Sequence, residues 1–156
     1  MSEPGRSHLT TSNPVAFDYA SIEEAFPAVH AGIKPFGTVG VFQIKCPKRK
    51  TKGGILLVDD TQSTEYYNTQ VAKVLSLGPS CFKSIDPQTG QLVDWPEGPW
   101  FKPGDFVRVP KYGGDRYEVS IVRDGERENV VIALFKVVNI LGLIDGDPLQ
   151  VRAFLD

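Results

Sequence analysis

Short apolar runs, each cut off by glycine or proline, set the first limit on the fold. Val71 to Leu77 (VAKVLSL) alternates apolar and polar side chains and stops at Gly78-Pro79. Phe106 to Val109 alternates in the same way, Gly113-Gly114 makes a turn, and Arg116 to Val122 follows it. Asp124-Gly125 is a hairpin signal leading into Asn129 to Phe135. Upstream, Val39, Val41, Phe42 and Ile44 form a β-rich run behind Pro35 and Gly37. Almost no stretch keeps a helical period. Six or so short strands with this punctuation predict an all-β fold, a small irregular β-barrel.

The chain has 156 residues, which suits one compact domain with extensions. A net charge of -2, from 17 basic and 19 acidic residues, argues against binding nucleic acid or anionic lipid through the whole surface. Cys46 and Cys81 stand apart, outside any CxxC or His-x-Cys context, so neither a metal site nor a redox motif is signalled. They read as unpaired thiols in a reducing compartment. No stretch reaches the ~18 apolar residues of a membrane span, and the first residues lack the apolar core of a signal peptide. A cytoplasmic protein is expected.

Residues 1–30 are rich in Ser, Thr, Pro and Asn and then read SIEEAF from Ser21, a helix start stopped by Pro27. They are expected to be an extension, with the main domain spanning residues 31–144 and a tail over 145–156. Ser80 to Pro99 is turn-rich and is expected to be a hairpin-like excursion from the core.

One segment breaks the pattern. Lys45 to Lys52 (KCPKRKTK) packs five positive charges around Pro47, which disfavours compact structure. Directly after it come Gly53, Gly54, Ile55, Leu56, Leu57 and Val58, and then the polar stretch Asp59 to Gln70. Exposed aliphatic side chains gain free energy when removed from water, so something should bury this run. An ordinary core strand is the plain reading; a docking loop is the other.

Gly53-Gly54-Ile55-Leu56-Leu57 resembles the mobile-loop motif of GroES-like co-chaperonins, two glycines followed by three apolar residues. Its surroundings are similar to that family in order. IKPFGTVGVFQIK (Ile33 to Lys45) looks like the opening strand, and VAKVLSLG (Val71 to Gly78) like the strand after the loop. FKPGDFVRVPKYGG (Phe101 to Gly114) resembles the Lys-x-Gly-Asp-x-Val run with its Lys-Tyr-Gly-Gly turn, and VVIALFKVVNILGLI (Val130 to Ile144) the closing strands. The match departs in the extra termini, the longer Ser80 to Pro99 segment, and Phe135-Lys136-Val137-Val138 where the family carries an acidic run. These departures point to a divergent, phage-encoded member.

The resemblance implies a barrel with a mobile loop and a roof hairpin at Ser80 to Pro99. It implies a lid that caps a GroEL-like chaperonin through Gly53, Gly54, Ile55, Leu56 and Leu57 and encloses its folding chamber. The chain itself would bind no cofactor, since ATP is bound by the partner. It also implies a ring, heptameric in the common pattern, closed by pairing Val39, Val41 and Ile44 with Val138, Ile140 and Leu141 of a neighbour. The basic run beside the loop would face acidic residues on the chaperonin or solvent.

Other functions find less footing. His8 and His30 lie in the extension, no catalytic spacing or phosphate-binding glycine loop is legible, and Asp86, Asp94 and Glu97 read as solvated turn residues. No enzyme, metal, membrane or nucleic-acid role is expected. Two alternatives stay open. One is a GroES-like structural or assembly module without chaperonin docking; the other is single-strand binding through KCPKRKTK with Phe36, Phe42, Tyr66 and Tyr67 as stacking groups.

Overall fold

A computed structural model describes residues 21–46 and 70–150. Among the described residues eight strands follow one another: β1 (Val39–Ile44), β2 (Val71–Leu77), β3 (Lys83–Ile85), β4 (Leu92–Asp94), β5 (Phe106–Arg108), β6 (Asp115–Arg123), β7 (Glu126–Lys136) and β8 (Gly142–Leu143). Six of them make one antiparallel sheet in the order β6-β7-β1-β2-β5-β8, and β3 and β4 pair as a separate hairpin. All-β is therefore the observed class. The sheet has two ends, β6 and β8, so its hydrogen bonding does not close into a barrel among the described residues.

Alternation assigns side chains to faces. Phe42 and Ile44 of β1 join Ala72 and Val74 of β2, Val107 of β5, and Val131, Ala133 and Phe135 of β7 in one buried cluster. Residues of the opposite parity, Val41 with Val130 and Ile132, form a second cluster that reaches Tyr117, Val119 and Ile121 of β6. Both faces of β1 are thus covered, which explains why a strand with so little polarity is stable in the middle of the sheet. A bulge at Val41/Phe42 adjusts its register against β2.

The β6–β7 hairpin closes at Asp124-Gly125, where both residues have positive φ, 55° and 77°. Such a pair makes the turn whose twist matches antiparallel strands. Beyond β7, a 3-10 turn (Val137–Asn139) carries the chain across to β8, which pairs with β5.

The second face of the sheet is covered by residues 22–31, led by α1 (Ile22–Ala25). Ala25 and Phe26 are buried with Val71, and Val29 and Ala31 pack on the Val41 cluster. Residues 22–30, the helical end of the expected extension, therefore pack against the same sheet.

Within the single chain β1 is hydrogen-bonded on one side to β2 and on the other to β7. Val41 and Ile44 are fully buried, and Ile140 is buried as well. Of the expected interface residues, Val138 and Leu141 stand exposed, and Val39 is half-buried.

Candidate functional site

The motif Gly53, Gly54, Ile55, Leu56 and Leu57 lies outside the described residues, as do Tyr66, Tyr67 and His8. What is described is the pair of roots from which segment 47–69 departs and to which it returns. They lie at the same end of the β1–β2 pair. Ile44 faces Ala72 in the register, and the Lys45 N–H donates to the Val71 carbonyl at 3.0 Å. Antiparallel neighbours stand about 5 Å apart, so the strand pairing brings the segment's ends together before any partner is met.

Each root is also tied to a third element. The Cys46 N–H donates to the Ala25 carbonyl of α1 at 2.8 Å. Gln70 exchanges two bonds with Val109: its carbonyl accepts from the Val109 N–H at 2.8 Å, and its Nε2 donates to the Val109 carbonyl at 3.2 Å. Arg108 adds a bond from Nη2 to Gln70 Oε1. Around these bonds Cys46 is fully buried and Lys45 nearly so. Phe26 packs on Phe106 with ring centroids 4.9 Å apart, closing the apolar cluster that includes Val71.

The covering segment is held through its main-chain oxygens. Arg123 Nη1 donates to the Glu23 and Glu24 carbonyls, both at 3.0 Å. Gln43 Nε2 donates to the Pro27 carbonyl at 2.8 Å and Tyr117 OH to the Ala31 carbonyl at 2.7 Å. The Arg123 guanidinium is paired in turn with the nearly buried Glu128 carboxylate. Burial alone would lower the Arg123 pKa, but the hydrogen bond and charge of Glu128 outweigh it and the pKa is raised. Burial, reinforced by the Asp115 charge, raises the pKa of Tyr117 and keeps its hydroxyl a donor.

At the Leu77 end of β2, Trp95 packs on the core, while Trp100 leans on Phe82 and Trp95 and stays exposed. Phe82 meets Trp95, Trp100 and Phe101 at centroid distances of 5.6, 5.8 and 5.0 Å, and the Trp95 Nε1–H donates to Ser84 Oγ. Phe42 is fully buried against Phe101 and Phe135 and is unavailable for base stacking, which corrects its place among the stacking groups. Phe36 is exposed. Among the described residues no three His, Cys, Asp or Glu side chains converge as around a metal ion, and no helix is long and apolar enough to cross a membrane.

No family model matches this chain, and no curated protein does. Residue types therefore carry the functional reading together with the root geometry. Sequence reasoning singled out the motif and the short helix at SIEEAF but missed the parts that Arg123 and Gln70 play at the roots. SIEEAF signalled a short helix, while nothing in it signalled that its carbonyls would be read by Arg123 and Cys46.

Proposed function

We propose that this protein is a co-chaperonin of GroES-like type, a ring-forming lid that docks Gly53-Gly54-Ile55-Leu56-Leu57 into an apolar groove of a GroEL-like chaperonin. The observation that carries the reading is the placement of this motif between two adjacent roots, the buried Cys46 and the pair Gln70-Val71, of which Val71 is buried. A greasy pentapeptide tethered at both ends to a packed sheet end suits capture by a partner better than membership of its own sheet, in which β1 already has two strand neighbours.

Magnitudes favour a multivalent lid. Burying Ile55, Leu56 and Leu57 contributes roughly 4–9 kcal/mol gross at about 1.5–3 kcal/mol each. Ordering the segment costs about 2–5 kcal/mol of that. A single copy binds weakly, and a ring of copies binds by avidity. Modest per-site affinity lets a nucleotide-driven change in the chaperonin release every subunit together. Exposed Val138 and Leu141 offer apolar surface for self-association into the ring, with seven copies as the expected number.

Native mass spectrometry of the protein alone, and then with purified chaperonin and ATP, tests this. A ring mass followed by a lid–chaperonin complex is expected, and Leu56→Asp should abolish the complex while leaving the ring mass unchanged. Absence of any complex with the unaltered protein would overturn the proposal. A ring without capture would favour the assembly-module reading, which draws support from the exposed Ile85, Leu92 and Val93 of the β3–β4 hairpin.

A further inference from the structure

The four residues of α1 lie across both roots of segment 47–69. On the departing side the Ala25 carbonyl accepts the Cys46 N–H, the first main-chain donor beyond the last described bond between β1 and β2. On the returning side Ala25 and Phe26 share a buried cluster with Val71, and Phe26 packs on Phe106 of the adjoining β5. Strand ends are where a sheet begins to fray, and a main-chain donor left unpaired in a buried site is costly. α1 addresses both weaknesses at one point.

α1 does not hold itself there by helix stability. Four residues are too few to be helical alone, and Ser21 makes no side-chain cap. Its position comes from the burial of Ala25 and Phe26 and from Arg123, whose Nη1 spans the Glu23 and Glu24 carbonyls while Nε bonds the Glu128 carboxylate at 2.8 Å. Arg123 sits at the tip of the β6–β7 hairpin, so the hairpin reaches over to fix the helix and the helix fixes the roots.

We propose that α1 is a clamp: gripped by Arg123, it locks Cys46 and Val71 so that segment 47–69 leaves and re-enters from a fixed base. A pull on that segment is then met by α1 and the β6–β7 hairpin as well as by the β1–β2 bonds. The use of this base in chaperonin capture rests on the docking reading above; the clamp itself does not. Arg123 is a positioning residue in this scheme, acting on the roots through α1, and its charge also reaches the Cys46 thiol.

The protein carries its own reporters. Cys46 is fully buried with Val41, Val130 and Ile132 next to α1, Cys81 is buried in another core cluster, and neither is in a disulfide. With Cys46→Ser and Cys81→Ser versions assigning the signals, a thiol reagent such as DTNB should label both sites slowly in the unaltered protein. Removing the charged hydrogen bonds with Arg123→Ala should speed labelling at Cys46 on the order of tenfold or more, with Cys81 unchanged. Arg123→Lys, which keeps the charge but cannot span two carbonyls and a carboxylate, should give a smaller acceleration at the same site and serves if the alanine variant does not fold. Acceleration of both thiols alike, or of neither, would overturn the clamp. In the chaperonin mixture Arg123→Lys should weaken capture severalfold at unchanged ring mass. Failure of the unaltered protein to be captured sinks the docking reading alone, because the thiol measurement decides the clamp without any partner.

Discussion

The six-stranded sheet and the β3–β4 hairpin draw on the same kinds of side chain and treat them in opposite ways. β1 buries Val41, Phe42, Gln43 and Ile44, whereas β3 and β4 leave Ile85, Leu92 and Val93 exposed. The difference is one of neighbours. β1 has a strand on each side and packed side chains on each face, while β3 and β4 have only each other. A two-stranded hairpin is marginal alone in water, so this one must borrow order from the sheet. It does so at its base, where the Trp95 N–H bonds the Phe82 carbonyl and the two rings meet edge to face.

Substitutions can break this contrast, and they rank by how many neighbours each residue has. Phe42→Ala, at the junction of Phe101 and Phe135, should cost about 3–5 kcal/mol and lower the urea midpoint of the whole molecule. Trp95→Ala should cost about 1–2 kcal/mol, because the ring is half-buried, and should release hydrogen-exchange protection across Lys83 to Asp94 before the sheet responds. Equal loss of protection in sheet and hairpin would mean that the two regions melt as one. Smallest of all is Lys83→Ala. The Lys83–Asp94 bridge spans 2.6 Å, but Asp94 is 73% exposed and water screens the pair, so a change below about 1 kcal/mol in thermal melting is expected.

The same contrast separates what could be read from the amino-acid order from what could not. Strands bounded by local signals were legible: β2 ends at Gly78-Pro79 as the alternation predicts, and β6 and β7 meet at Asp124-Gly125. The Ser80 to Pro99 excursion was legible too, since its turn chemistry is local and the Asp86 carboxylate bonds the Gln88 N–H as such turns do. Partner choice was not. That β1 would lie between β2 and β7 depends on contacts distant in the chain, and periodicity within Val39 to Ile44 is silent on it. For the candidate site, the motif at Gly53 to Leu57 stood out by composition, whereas its base did not. Root residues such as Gln70 and Cys46 are defined by what their main chains touch.

That mode of attachment bears on how the covering segment can change over time. Arg123, Cys46, Gln43 and Tyr117 all grip oxygen atoms of the peptide backbone, which every amino acid supplies. At the exposed positions of this stretch, Glu23, Ala28 and His30, lineages can exchange residue types with little penalty. Inserting or deleting a single residue is a different matter, since it shifts the evenly supplied acceptors past donors that are fixed in the sheet. Spacing rather than spelling is what this stretch must preserve.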